Sequence, residues 1–251
     1  MITLAIAAVA VVYLGGWRRL HSTSPDVIPP WRAGGFLIGL VAIWSATASS
    51  LAACDADSLT AHMVQHLLLM TVAPPLIFLG EPFLTITGRR SVEWAPMARA
   101  FKWLAHPALC WLAATMTLMV WHVPAAFTLA LRSHAWHAVE HASFLGTGLL
   151  FWWPVVPPWP SRPEPRWSLI LYLFLATLPC DILSGFLVFS DRIVYPAYLS
   201  TQSALAVLED QQRAGAVMWT SVTIIYLVAG VILSTRLLTC PSPRERLAEA
   251  V

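Results

Sequence analysis

Four histidines in two short segments have a spacing that suits metal chemistry. In HMVQHLLLM, His62 and His66 are four residues apart, and in WHAVEH, His137 and His141 repeat this spacing. Residues four apart project from one face of an α-helix, so each pair can direct two imidazoles at one metal ion without strain. Two such pairs on facing helices, taken here as antiparallel, are predicted to converge on a metal ion.

Further side chains could join this site or orient its ligands. His122, in WHVP, is a fifth candidate ligand, and Met70 lies one turn beyond His66 on a similar helix face. His134 falls on the stripe of the second pair if that helix extends back to it. Met218 and Asp181 lie in apolar stretches, where a thioether is usually packing and a carboxylate is usually functional.

The composition places these residues in a membrane protein. Hydrophobic residues make up 58% of the 251 residues and charged residues 11%, and the mean hydropathy is +0.68. A soluble domain has about 25% charged residues. No basic run and no soluble domain are present to bind nucleic acid. The four cysteines form no C-x-x-C pair, which argues against a disulfide framework.

Apolar runs long enough to cross a bilayer predict an all-α bundle of seven transmembrane helices in one membrane domain over 1–251. The predicted spans are 2–17, 33–53, 62–80, 105–127, 136–156, 167–189 and 214–237, followed by a short cytoplasmic tail at 238–251. With the N-terminus outside, twelve of the fifteen basic residues fall on the inner side, which favours that orientation. Six of the eight histidines then lie at the outer ends of spans three, four and five.

The residue types narrow the choice of metal. Imidazole binds zinc, copper, iron and nickel, whereas thioether favours Cu(I). Histidine pairs with methionines on nearby turns therefore favour copper in the Cu(I) state, with zinc as the alternative.

The sequence blocks resemble a known family, the CtaG-type cytochrome c oxidase assembly proteins, which are seven-span proteins of the bacterial plasma membrane. The resemblance rests on HMVQHLLLM with APPLIFLGEP, on WHVPAAF, on WHAVEHASFLGTGLLFWWPV and on DQQRAGAVMW, in this order. It implies that the functional histidines are His62, His66, His122, His137 and His141. It also implies a role for Asp210, expected to orient an imidazole N–H, with Met218 two turns further on the same face.

The resulting hypothesis is a non-enzymatic copper chaperone. It would hold copper near the outer leaflet and pass it laterally to the catalytic subunit of the haem–copper oxidase. Three alternatives remain at this point: a seven-span zinc hydrolase, a membrane protein that binds haem through two histidines, and a structural scaffold whose histidines bind no metal.

Overall fold

The computed structural model describes residues 1–26, 28–53, 57–88, 106–157, 167–200 and 202–239. The regular elements in these ranges are helices, which confirms the all-α fold. They are α1 (Ile2–Thr23), α2 (Pro30–Ala48), α3 (Ser50–Ala53), α4 (Leu59–Leu67), a π-helical segment (Leu68–Val72), α5 (Ala73–Leu79), α6 (Pro82–Thr87), α7 (Pro107–Trp121), α8 (Pro124–Arg132), α9 (His134–Trp152), α10 (Trp167–Phe189), a 3-10 turn (Pro196–Ser200) and α11 (Ala204–Thr239).

Several of these helices are suited to a membrane. Five are long and apolar enough to span one: α1, α2, the composite helix Leu59–Leu79, α10 and α11. Helices α7 and α8 qualify only as a pair, bent by 76°, which makes up to six spans. The 19-residue α9 is not among them, and its histidines and Glu140 make it more polar. A multi-pass membrane protein fits these helices, whereas seven spans and the orientation stay predictions.

Part of the predicted topology lies outside the described residues. Residues 240–251 of the predicted tail are not described, and neither are eight of the twelve basic residues assigned to the inner side: Arg89, Arg90, Arg99, Lys102, Arg162, Arg166, Arg244 and Arg246.

The composite helix Leu59–Leu79 occupies the centre of the bundle. In its most apolar stretch 61% of the residues are buried, against 11–39% in the other four candidate spans. It packs against α2, α9 and α11. Because the first histidine pair lies on this helix, the bundle encloses the pair instead of leaving it at the surface.

Two prolines produce the π-helical segment of this central helix. Pro74 has no N–H to donate to the carbonyl of Met70, four residues earlier. The Met70 carbonyl instead accepts a hydrogen bond of 3.2 Å from the indole N–H of Trp152 in α9. The irregularity at Pro74 and Pro75 therefore attaches α9 to the central helix one turn beyond the histidines.

Helix α9 runs parallel to the central helix, so the expected antiparallel pairing is wrong. His62 lies beside Glu140 near the start of both helices, and Met70 lies beside Gly148 further along both. A Cβ on Gly148 would come within 2.8 Å of the Met70 backbone. This glycine therefore permits the close approach that brings the two histidine pairs together.

The predicted fourth span, 105–127, is broken in the structure. Helix α7 ends at Trp121, and α8 starts at Pro124 after a bend of 76°. Proline restricts the residue before it to extended conformations, and Val123 has φ −65° and ψ 127°. The bend leaves His122 at the junction, with its carbonyl accepting a hydrogen bond of 3.0 Å from the buried hydroxyl of Tyr195.

The last helix begins at Ala204, ten residues before the start of the predicted span at 214. The extension places Asp210 and Gln211 within a helix, where both are buried. The Gln211 amide binds the loop before α11, accepting from the backbone N–H of Val194 and donating to the carbonyl of Arg192. This end of α11 lies against the start of the central helix, where the histidines are.

Candidate metal centre

The first histidine pair is buried at the start of the central helix. His62 and His66 are 0% and 5% exposed, and their ring centroids are 4.3 Å apart. His66 stacks on Phe144, and His62 meets the edge of Phe127. Aromatic packing therefore holds both imidazoles in fixed positions within an apolar wall.

Glu140 of α9 reaches between these two imidazoles. Its Oε1 lies 3.4 Å from Nε2 of His62 and 3.5 Å from Nε2 of His66, and the side chain is fully buried. Each of the three residues offers a ligand atom, and these atoms lie within 4.8 Å of one another. We call His62, His66 and Glu140 the histidine–glutamate centre.

The spacing within this centre fits a metal ion better than it fits hydrogen bonds. A normal N–H···O bond measures about 2.7–3.2 Å, and both contacts are longer. None of the ring nitrogens of His62 and His66, nor either Glu140 oxygen, makes a hydrogen bond to a described residue. Nitrogen and oxygen ligands about 2.0–2.1 Å from a tetrahedral metal lie roughly 3.3–3.4 Å apart. The observed separations are close to that value.

The second histidine pair flanks the centre. His137 is partly exposed, its Nε2 lies 4.0 Å from Oε2 of Glu140, and its ring stacks toward His62 at 5.7 Å. His141 is half-buried, and its Nε2 lies 3.1 Å from Oε1 of Gln65. His62, His66 and His137 therefore lie within 4.0 Å of the Glu140 carboxylate, and His141 lies beside the rings of His66 and His137.

Gln65 sets the tautomer of His141. Its amide nitrogen donates a 3.0 Å hydrogen bond to the carbonyl of Leu51, so its oxygen is the group that faces His141. An amide oxygen only accepts, which assigns the proton to Nε2 of His141 and leaves Nδ1 with the lone pair. His141 would therefore bind a metal through Nδ1.

Asp210 has a different role from the one predicted. Its hydrogen bonds go to the start of α4 and not to an imidazole: it accepts from the backbone N–H of Leu59 at 2.6 Å and from the hydroxyls of Ser58 and Thr60. A carboxylate at a helix N-terminus satisfies free N–H groups and favours the helix dipole. Asp210 thus positions His62 through the helix that carries it.

His122 lies next to the centre, but both its ring nitrogens contact groups outside it. Its ring is 6.4 Å from that of His66. Its Nδ1 lies 2.7 Å from the carbonyl oxygen of Leu118, and its Nε2 lies 3.3 Å from the sulfur of Met63. The structure therefore does not bring His122 into the cluster that His62, His66 and Glu140 form.

A cavity of about 40 Å³ adjoins the centre on the side of His122. His66 and His122 form part of its wall, and its lining includes four sulfur side chains: Met63, Met70, Cys180 and Met218. We call this the sulfur-lined cavity. Two predicted additional ligands, Met70 and Met218, belong to this cavity.

The remaining two predicted residues join neither group. His134 is the first residue of α9 and is exposed. Asp181 is half-buried in α10 and belongs neither to the ligand cluster nor to the residues that line the cavity, whereas its neighbour Cys180 does line the cavity.

Glu140 was not among the ligands predicted from the sequence. It lies three residues after His137 and one before His141, and residues three apart share a helix face as residues four apart do. A stripe that includes both spacings would have contained Glu140. Met63, next to His62, was not among the predicted ligands, and its contact with an imidazole depends on the position of His122 at the bend.

The fold is a helical bundle whose apolar helices are compatible with a multi-pass membrane protein, and it holds a buried histidine–glutamate centre. Residues 11–239 match the model of the cytochrome c oxidase caa3 assembly factor family, so the chain belongs to that family. This match confirms the resemblance seen in the sequence.

Similar proteins include uncharacterized proteins of Mycobacterium tuberculosis and Mycobacterium bovis, each 23% identical over 92% of this chain, and one of Mycobacterium leprae, 22% identical over 91%. The matched region is 38% of the length of each of these relatives. No solved structure matches the chain.

Proposed function

We propose that this protein is a non-enzymatic copper chaperone that binds copper at the histidine–glutamate centre for the catalytic subunit of the haem–copper oxidase. The observation that carries the proposal is the convergence of His62, His66 and Glu140, all buried, with ligand atoms within 4.8 Å of one another. Polar groups inside an apolar bundle are costly unless they are paired or bind something. Because the chain belongs to an oxidase assembly family, the oxidase is the expected recipient of the bound metal.

The charge of the centre supports a monovalent ion. Neutral imidazoles carry no charge, and Glu140 as a carboxylate carries one negative charge. A Cu(I) ion would make the buried site neutral, whereas a divalent ion would leave one uncompensated positive charge, which is expensive in an apolar interior. A bound Cu(I) ion therefore needs no anionic ligand other than Glu140 at this centre.

The orientation in the membrane is part of the proposal. With the N-terminus outside and seven spans, the centre lies near the outer face of the bacterial plasma membrane. The count of basic residues in the sequence supports this orientation.

A groove on the outside of the bundle supports lateral transfer. It has a volume of about 820 Å³, lies between α7 and α10, and is almost entirely apolar. Thr115 and Pro179 line both this groove and the sulfur-lined cavity beside the centre. A helix of the oxidase subunit lying in this groove would be only one layer of side chains away from the cavity.

The second candidate function is a zinc hydrolase, and Glu140 favours it. Two histidines and one glutamate bind zinc in thermolysin-type sites, where an open position holds the water that attacks the substrate. A zinc ion here would need a further anion for charge balance. Stoichiometric zinc in protein isolated without added metal, together with hydrolysis of a lipid amide, would establish this function in place of the chaperone.

The decisive test is an anaerobic Cu(I) titration of detergent-purified protein. Wild type is compared with His66→Ala, His141→Ala and the matched control His134→Ala, which removes an exposed histidine from the start of α9. We expect wild type and the control to bind alike and His66→Ala to weaken binding by more than about 100-fold, since even residues that only orient ligands contribute 10–100-fold. Equal stoichiometry and affinity in all four proteins would overturn the proposal.

A further inference from the structure

The sulfur-lined cavity contains a set of side chains that the histidine–glutamate centre does not use. Met63, Met70, Cys180 and Met218 come from the central helix, α10 and α11, and each is at most 9% exposed. Buried methionine is usually packing. Here, however, four sulfur side chains and two imidazoles line one small cavity.

The contact between His122 and Met63 indicates what the cavity binds. A carbonyl only accepts, so the 2.7 Å contact with the Leu118 oxygen assigns the proton of neutral His122 to Nδ1. The lone pair of Nε2 then points at the thioether of Met63, 3.3 Å away, which also offers only lone pairs. Two lone-pair donors directed at each other without a proton between them are the expected arrangement around a cation.

The same distance fits a metal ion that both atoms bind. With a metal–nitrogen distance of about 2.0 Å and a metal–sulfur distance of about 2.3 Å, a separation of 3.3 Å corresponds to an angle of roughly 100° at the metal. That value is close to tetrahedral. The two side chains therefore need little movement to bind one ion.

The chemistry of the lining selects the ion. Thioether and thiol sulfur are soft ligands that select Cu(I), and no carboxylate is among the residues that line the cavity. A divalent ion would bring two charges into an apolar space that has no anionic oxygen to balance them. Cu(I) brings one charge, which Cys180 would neutralise by releasing its thiol proton to solvent as the metal binds.

We propose that the sulfur-lined cavity is a second metal site, selective for Cu(I), in which Nε2 of His122 and the sulfur of Met63 are the first two ligands. Met70, Met218 and Cys180 supply the remaining sulfur. His66 lies in the wall shared by the two sites and connects them, so copper passes from the histidine–glutamate centre to this softer site. The inference deepens the proposed copper function and rests on it.

The first test needs no variant. X-ray absorption of the wild-type protein loaded anaerobically with two equivalents of Cu(I) should show sulfur at about 2.3 Å in addition to nitrogen or oxygen at about 2.0 Å. A spectrum with nitrogen and oxygen alone would overturn the second site and leave the histidine–glutamate centre standing. Failure of wild type to bind Cu(I) at all would instead overturn the proposed function.

The second test separates the two sites by substitution. The double variant Met63→Leu with Met218→Leu nearly conserves volume, so the fold should tolerate it, and Met116→Leu, at a 48% exposed position on α7, is the matched control. We expect the double variant to lose one of two Cu(I) equivalents and the sulfur signal, while the control keeps both. Retention of both equivalents and of the sulfur signal in the double variant would refute the second site.

Discussion

Replacing Glu140 by Gln is the sharpest perturbation of the histidine–glutamate centre, because it removes the charge and keeps the shape. The ligand atoms lie within 4.8 Å of one another, so an ion among them is close to the carboxylate. Two unit charges 4 Å apart interact by about 4 kcal/mol at an effective dielectric of 20. We therefore expect Glu140→Gln to weaken Cu(I) binding by roughly a thousandfold.

The assay for this variant is anaerobic competition between the protein and a chromophoric Cu(I) chelator. Glu209→Gln is the matched control, since Glu209 is exposed on α11. The metal-free variant should keep its thermal unfolding midpoint, because the charge it removes is buried and makes no hydrogen bond within the described part of the chain. A Glu140→Gln protein that binds Cu(I) within about threefold of wild type would refute the charge argument and the assignment of Glu140 as a ligand.

Three further predictions concern the elements that position the centre. Asp210→Ala should lower the free energy of unfolding by about 3 kcal/mol, because the helix loses its cap and a buried N–H is left without a partner. Asp210→Asn should lower it by less. Thermal unfolding midpoints in detergent that equal the wild-type midpoint for both variants would contradict the capping role. Gly148→Ala should force α9 away from Met70 and so lower both the thermal unfolding midpoint and the Cu(I) affinity. In the control Gly146→Ala, the added Cβ has nothing within 4 Å, and neither quantity should change. Tyr195→Phe removes the hydrogen bond to the His122 carbonyl and should destabilise the bend between α7 and α8 by about 1–2 kcal/mol, seen as a lower thermal unfolding midpoint. An unchanged midpoint would show that this hydrogen bond does not stabilise the bend.

Local spacing in the sequence was enough to predict which histidines lie close together. The pairs His62 with His66 and His137 with His141 were found because spacing on a helix is a local property, and the structure brings the rings of the two pairs within about 6 Å of each other. Composition likewise predicted the all-α fold. These predictions required no knowledge of how one helix lies against another.

The features that were missed depend on contacts between helices. Nothing local shows that Asp210 caps a helix whose first residue is Leu59, about 150 positions earlier in the chain. The contact of His122 with Met63 depends on the bend that Pro124 imposes and on the depth at which α7 packs. Glu140 was within reach of sequence reasoning, but only if residues three apart had been given the same weight as residues four apart.

Copper supply to the oxidase can be tested in cells that carry variants of this protein, by measuring the copper content of the oxidase. The chromosomal gene is replaced by His62→Ala with His66→Ala, or by His134→Ala as the control, and the copper-to-haem ratio of the purified oxidase is measured. We expect the double variant to yield an oxidase with its haem but depleted of copper, and the control to yield a normal ratio. A normal copper-to-haem ratio with the double variant present at normal levels in the membrane would contradict the claim that the histidine–glutamate centre supplies copper.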